Sequence, residues 1–319
     1  FPPQLNLEQS SSEKTALYKS RILKGKKIID LTSGFGIDAY YLSENFDEVT
    51  LVEQNPELLE IVEHNWNILG RKAKFANQNL EDFLNENKET YDVIYLDPAR
   101  RDHNKNKVFL LEDLSPDIIE IQEKLLSVSN KVIIKLSPLI DLKYLVSVLP
   151  NLFRIDIIAL KNDVKEVVVF LSNQNSDKII CHCVNLESEE SMFTFTFGDE
   201  ETTVAEFGEP EKYIYIPNNS VLKAGVFNVI SEKFRLKKLH PNTHLYTSNQ
   251  KITDFPGRIL EMEVIDAKQI VKKSQFNIIS KNYPLKPEEI KKKYNLKDGG
   301  ENYLIFTQSK KGKIILKSV

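Results

Sequence analysis

Lys27-Ile28-Ile29-Asp30-Leu31-Thr32-Ser33-Gly34-Phe35-Gly36-Ile37-Asp38 reads as a buried strand that turns through two glycines into a helix, the outline of a nucleotide-binding loop. Gly34 and Gly36 carry no Cβ, so the backbone can turn tightly there and approach a ligand closely. A second apolar strand, Glu48 to Val52, stops on Glu53, where a carboxylate suits ribose hydroxyls. A further strand, Tyr91 to Leu96, ends in Asp97-Pro98-Ala99-Arg100. Successive apolar strands thus deliver polar chemistry at their carboxyl ends, the edge where open α/β sheets bind ligands. These residues leave two cofactor classes open, because Gly34-x-Gly36-x-x-Ala39 with Glu53 downstream also satisfies a relaxed dinucleotide fingerprint.

The chain of 319 residues suggests two or three domains on a prior of roughly 150 residues each. No apolar run approaches the roughly 18 residues that a membrane span needs, so a cytoplasmic, membrane-independent protein is expected. The sequence begins at Phe1 and not at methionine, so an upstream segment is expected as well. Its two cysteines lie in Cys181-His182-Cys183, where strand alternation puts both thiols on one face, and no metal is expected from so few ligands. His240 and His244 flank Pro241 and Asn242 in what reads as an irregular loop, again with no metal. The net charge of -3 conceals an asymmetry. Residues 1–173 carry 21 basic against 27 acidic residues, whereas residues 268–319 carry 13 against 4. The basic end, with Lys291-Lys292-Lys293 and Lys310-Lys311-Gly312-Lys313, can neutralise phosphates or simply form a solvated face.

Ser10-Ser11-Ser12-Glu13 has capping-box spacing and opens a helix to about Leu23. Strands at 27–31, 48–53, 73–77 and 91–96 then alternate with helices at 37–46, 56–69 and 80–87, the rhythm of a parallel sheet. Ser115-Pro116 reads as the cap of a helix through Ile118, Ile121 and Leu125, and Lys131 to Leu136 as a fifth strand ending in Ser137-Pro138. Runs at 153–160 and 166–171 read as a hairpin at one sheet edge. The expected fold class is α/β: a Rossmann-like seven-stranded sheet, as in class I methyltransferases, followed by smaller α+β domains. A polar break at Asn173 to Asp177 suggests the boundaries 1–173, 174–248 and 249–319, with one helix near 220–234. Phe193, Phe195 and Phe197 alternate with threonines, which suits one apolar strand face packed in a core better than a base-stacking platform.

Four segments together resemble the bacterial class I S-adenosylmethionine-dependent methyltransferases that carry ferredoxin-like and THUMP-like C-terminal domains. They are Ser11 to Ala16, Asp30 to Asp38, Asp97-Pro98-Ala99-Arg100-Arg101 and Lys135-Leu136-Ser137-Pro138. Pro217 to Gly225 and Lys238 to Tyr246 resemble the family's ferredoxin-like part, and Asn282-Tyr283-Pro284-Leu285 through Lys297-Asp298-Gly299-Gly300 its THUMP-like end. The resemblance implies S-adenosyl-L-methionine as cofactor, held by Asp30, Thr32, Gly34, Gly36, Asp38, Glu53, Asn79 and Asp97. Asn79 stands where an aspartate commonly contacts adenine, and it also has the chemistry of a helix cap. The resemblance further implies Asp97, Arg100 and Lys135 as catalytic, and Ser12, Thr15, Pro98, Arg101, Ser137 and Pro138 beside the substrate.

Asp97-Pro98-Ala99-Arg100 resembles the Asp-Pro-Pro-Tyr loop of amino-methylating enzymes but has alanine for the second proline and arginine for the stacking aromatic. That departure leaves the acceptor atom open. An arginine plane stacks on a base or forks to a phosphate, which suits RNA. With no cysteine near this loop, methyl transfer is expected to be direct, with Asp97 assisting. THUMP domains point to a transfer or ribosomal RNA substrate. Two other readings stay open: an RNA-binding adaptor whose methyltransferase fold no longer turns over, and a methyltransferase of small molecules or proteins.

Overall fold

A computed structural model describes residues 11–100 and 109–319 apart from 175, with Arg100 described by its backbone. The chain divides into two compact units, Phe1–Ser188 and Glu189–Val319.

The first unit opens with helix α1 (Glu13–Ile22), whose N-terminus is closed by Ser12 Oγ accepting from Thr15 N at 3.3 Å. Strand β1 (Lys27–Asp30) follows, then α2 (Ile37–Leu42), β2 (Glu48–Val52), α3 (Pro56–Ile68), β3 (Lys74–Ala76), α4 (Leu80–Glu86) and β4 (Val93–Leu96). A short antiparallel pair, β5 (Ala99–Arg100) with β6 (Leu114–Ser115), precedes α5 (Ile118–Val128), β7 (Val132–Leu136) and α6 (Leu142–Val148). The unit closes with β8 (Leu152–Leu160), β9 (Asp163–Leu171) and β10 (Ile180–Leu186). Within this unit the strand order is β10-β8-β9-β7-β4-β1-β2-β3. From β3 to β7 the pairing is parallel, and β9 runs antiparallel to both β7 and β8. This is the seven-stranded class I methyltransferase sheet, with β10 added parallel to β8 at its edge.

Buried strands such as Val93-Ile94-Tyr95-Leu96 are apolar on both faces because helices cover both sides of a parallel sheet. On α3, Leu58, Val62 and Trp66 recur at helical spacing and bury one face, and Asn55 caps that helix ahead of Pro56 in its first turn. Trp66 meets Phe75 and Tyr40 edge-on.

Two local expectations change. Asp117, not Ser115-Pro116, caps α5, because its carboxylate accepts from Ile119 N and Glu120 N while Ser115 lies in β6. The polar break after Leu171 leads into β10, whose Cys181, Cys183 and Val184 are buried, so the first unit extends to Ser188.

The second unit holds β11 (Phe193–Thr196), α7 (Asp199–Thr202), β12 (Tyr213–Pro217), α8 (Asn219–Ala224), α9 (Phe227–Lys233), β13 (Lys237–His240) and β14 (Thr243–Ser248). It continues through β15 (Gly257–Ile265), β16 (Gln275–Ser280), α10 (Pro287–Tyr294), β17 (Lys297–Ser309) and β18 (Gly312–Ser318). Seven of these strands form one sheet in the order β13-β14-β12-β15-β18-β17-β16. The helix expected near 220–234 is two helices, because Gly225 takes a left-handed φ of 72° that ends α8. Phe193 and Phe195 are buried, and the two histidines sit on the paired strands β13 and β14. No described helix is long and apolar enough to cross a membrane.

Candidate functional site

The carboxyl ends of β1, β2 and β4 surround a cavity of about 370 Å³. Its lining brings together Asp30, Thr32, Gly34, Asp38, Glu53, Asn79, Asp97 and Lys135, which lie far apart in sequence. The parallel register sets this up, pairing Asp30 with Leu51 on one side and with Tyr95 on the other.

The two glycines prove to serve different ends. Both take left-handed φ values, 50° at Gly34 and 67° at Gly36. A Cβ on Gly34 would meet only Thr32 O, at 4.0 Å, so this backbone borders open space in the cavity wall. A Cβ on Gly36 would come within 2.9 Å of both Trp66 and Val62, so Gly36 permits close packing against α3 and does not line the cavity.

Glu53 sits against the loop, one carboxylate oxygen accepting from Gly34 N at 3.0 Å and the other from Asn55 N at 2.9 Å. A carboxylate oxygen has more than one lone pair, so both retain capacity for donors in the cavity. Asp30 accepts from Thr32 N at 3.0 Å, and burial raises its pKa well above the usual carboxylate range. Thr32 Oγ1 in turn accepts from Asp97 N at 2.6 Å and pins the start of the Asp-Pro-Ala-Arg turn. Asp97, 38 % exposed, faces the cavity and pairs with Lys135 Nζ at 2.5 Å. Loss of solvent raises the Asp97 pKa even though Lys135 pulls it down. Burial alone would lower the Lys135 pKa, but Asp97 and Asp38 outweigh it and hold the ammonium above its ordinary range.

Asp38 belongs to an ion cluster beneath the cavity. Lys19 Nζ lies 2.9 Å from Asp38 Oδ1 and 2.8 Å from Glu166 Oε1, with Lys19 fully buried. Tyr95 and Ser11 hydroxyls donate to Asp38 Oδ2 at 2.8 and 2.7 Å. Burial would raise the Asp38 pKa, but Lys19, Lys135 and these donors together lower it to about 2. Lys19, Glu166 and Tyr95 escape a reading of the sequence. One signal was available: Lys19 shares the buried face of α1 with Thr15, Ala16 and Ser20, a place where an unpaired lysine does not belong.

Several expected site residues are employed otherwise. Ser12 and Thr15 bond to each other as the α1 cap, with Thr15 buried, and neither lines the cavity. Asn79 lines the cavity, but its amide caps α4, accepting from Asp82 N at 2.8 Å and donating to Asp82 Oδ2 at 2.6 Å. Ser137 Oγ accepts from Leu139 N at 3.3 Å in the turn after β7, and Ser137, Pro138 and Pro98 are not among the lining residues. Arg101 lies outside the described residues, and Arg100 is described by its backbone, which pairs with Leu114. That pairing carries Ser115 and Pro116 into the cavity wall, which nothing in the sequence indicated.

The lining carboxyl groups Asp30, Asp38, Glu53, Glu81 and Asp97 outnumber the one lining cation, Lys135, which is already paired with Asp97. Such a lining suits a cationic ligand. A pyrophosphate brings negative charge and needs donors, and among the described lining residues no free ammonium or guanidinium is present to meet it.

Residues 14–130 match a family model described as conserved hypothetical protein 95, residues 213–256 a ferredoxin-like domain, and residues 258–317 a THUMP domain-like model. A crystal structure from Porphyromonas gingivalis W83, described as that of a candidate methyltransferase, is 32% identical with a TM-score of 0.90, covering 99% of this chain and 82% of that one. An uncharacterized RNA methyltransferase of Mycoplasma mobile is 31% identical over 97 residues, 30% of this chain and 26% of that protein. The ribosomal RNA small subunit methyltransferase J of Psychrobacter cryohalolentis is 31% identical over 99 residues, 26% of this chain and 33% of that protein. The match therefore spans about a quarter of one curated relative and a third of the other.

Proposed function

We propose that this chain, which belongs to the family of class I methyltransferases with ferredoxin-like and THUMP-like C-terminal domains, binds S-adenosyl-L-methionine in the cavity and methylates RNA by direct transfer. The observation that carries the cofactor assignment is the acidic cavity lining beside the bare backbone of Gly34, which accepts a cationic nucleoside and disfavours a dinucleotide. When bound, the cofactor supplies an electrophilic methyl carbon on a sulfonium centre.

The chain's own residues do the rest. Glu53 has the capacity to accept from ribose hydroxyls while it holds Gly34 N. Gly34 lets the ligand approach the backbone, and Asp38 and Glu53 contribute negative charge to the wall. Asp97 accepts a hydrogen from the acceptor group, and Lys135 keeps that carboxylate in place. Direct displacement depends mostly on alignment, with one basic group assisting. Asn79 stays the cap of α4 and supports the adenine side of the cavity through backbone and shape.

RNA as substrate is supported by the THUMP-like model over 258–317, by the RNA methyltransferase names of both curated relatives, and by the lysines of α10 and of the β17–β18 turn. Calorimetry with S-adenosylmethionine tests the cofactor, with micromolar binding expected on the order of most small cofactors. Nucleoside mass spectrometry of RNA from cells with and without the protein tests the substrate. No binding of the cofactor refutes the first assignment. Cofactor binding with no methylated nucleoside, and no methyl incorporated into bulk RNA, refutes the second and favours an adaptor.

A further inference from the structure

The buried cluster behind the cavity contains more charge than cofactor or acceptor contacts require. Lys19 does not line the cavity described above and is fully buried, yet its ammonium reaches three acceptors: Glu166 Oε1 at 2.8 Å, Asp38 Oδ1 at 2.9 Å and Ser11 Oγ at 2.9 Å. Two of these contacts, to Glu166 and Ser11, are hydrogen bonds, and the one to Asp38 Oδ1 is an ion pair. Ser11 Oγ donates to Asp38 Oδ2 at 2.7 Å and accepts from Lys19 and from Lys135, the latter at 3.2 Å. One hydroxyl hydrogen and two lone pairs thereby join both lysines to one carboxylate. Lys135 then contacts Asp97 at 2.5 Å. The order Glu166, Lys19, Asp38, Lys135, Asp97 alternates in sign from β9, through α1 and α2, to the end of β7 and the turn after β4.

We propose that Lys19 and Glu166 are positioning residues for the acceptor contact: through Ser11, Asp38 and Lys135 they form a relay of alternating charge in which Lys19 favours the carboxylate form of Asp97 and Glu166, which holds Lys19 in place, opposes it. This rests on reading Asp97 as the group that faces the acceptor. In a medium of low dielectric, an isolated carboxylate takes up a proton, and a partnered one does not. A single lysine beside Asp97 would itself be drawn toward neutrality by burial. Asp38 opposes that, and Lys19 in turn holds Asp38 ionised. Alternation lets each member stabilise the next and limits the excess to one negative charge, three carboxylates against two ammonium groups. The groups facing Asp97 are Lys135 from β7, Asp38 from α2, Lys19 from α1, Asp30 from β1 and Tyr95 from β4; Lys135 and Lys19 favour its charged form, and the carboxylates oppose it.

The relay makes a signed prediction, read in protein free of cofactor and RNA, so that its failure is distinct from failure of the methyltransferase assignment. Carbon NMR of protein labelled at aspartate Cγ follows the Asp97 titration, with the resonance assigned by its loss in Asp97→Asn. Lys19→Met removes a cation and raises the Asp97 titration midpoint, whereas Glu166→Gln removes an anion and lowers it, each by about 1 pH unit for charges within roughly 10 Å in protein of effective dielectric about 20. Loss of packing alone would move both midpoints in the same direction or leave both unchanged, and either result overturns the proposal. Should Lys19→Met fail to fold, Glu166→Gln carries the test alone: a midpoint that falls supports the relay, and one that stays or rises refutes it.

Discussion

Two pairs of lysines, one pair in each unit, are treated in opposite ways. In the first, Lys19 and Lys135 are taken out of water and surrounded by carboxylates and hydroxyls. In the second, Lys291 spans Glu288 and Asp298 at the surface, and Lys310 lies over the Phe207 ring at 3.9 Å. A buried ammonium is held at one place by every hydrogen it donates, so it can fix another side chain. An exposed one stays hydrated and adaptable, which suits contact with a phosphate backbone and contributes little to folding. The same residue type thus fixes its neighbours where it is buried and offers diffuse attraction where it is exposed.

The largest effect expected of breaking this contrast comes from Asp38→Asn. It leaves Lys19 and Lys135 short of a partner and lowers stability in denaturant titration by about 3–5 kcal/mol, the range for a broken buried pair. The loss depends on pH with a definite sign. Asp38 is held at about 2 in the folded protein, whereas an unfolded aspartate titrates near ~3.9. The stability that Asp38 contributes is therefore fully present above about pH 4 and is lost as pH falls toward its folded value. The gap between the parent protein and Asp38→Asn narrows over that window, and a gap that stays constant would refute the assignment.

Next in size is Glu53→Ala, which removes an acceptor for cofactor hydroxyls and releases Gly34 N. It weakens S-adenosylmethionine binding by about 10- to 100-fold in calorimetry, the equivalent of roughly 1.5–3 kcal/mol for hydrogen bonds to a charged group. Unchanged affinity would remove Glu53 from the site.

The two glycines give a smaller and more discriminating pair. Gly36→Ala drives a Cβ into Trp66 and Val62 and lowers stability by about 1–3 kcal/mol, as overpacking does. Gly34→Ala meets no such contact, so its thermal midpoint falls less, and its main effect is weaker cofactor binding. Equal loss of stability in both would mean that backbone strain, and not surroundings, dominates.

The smallest effect on folding is expected from Lys292→Ala and Lys293→Ala, each within about 0.5 kcal/mol for surface sites. Each reduces the slope of log affinity for RNA against log salt by about 1 if it contacts a phosphate. A slope that stays put assigns those lysines to a solvated face.

Local pattern was enough wherever one segment carries its own signal. Apolar runs ending in Asp30, Glu53 and Asp97 specified both the strands and the ends at which they deliver acids, because apolar run length and the polar residue that closes it are properties of short stretches. Glycines at 34 and 36 announced a tight turn for the same reason, but nothing local says which of them faces a ligand and which faces Trp66. Asn79 read equally as cap and as contact, and only the fold of α4 closes its amide on Asp82.

What lay beyond the sequence was which distant side chains pair with which. Lys19 and Glu166 are 147 positions apart and Ser115 pairs with the distant Ala99, so no spacing rule connects them. A strand or a helix is decided by nearest neighbours along the chain, and the residue order contains that information directly. Which buried charge meets which depends on how helices and strands pack in three dimensions, where the cost of leaving an ion unpaired selects the arrangement only after the backbone has brought the partners together.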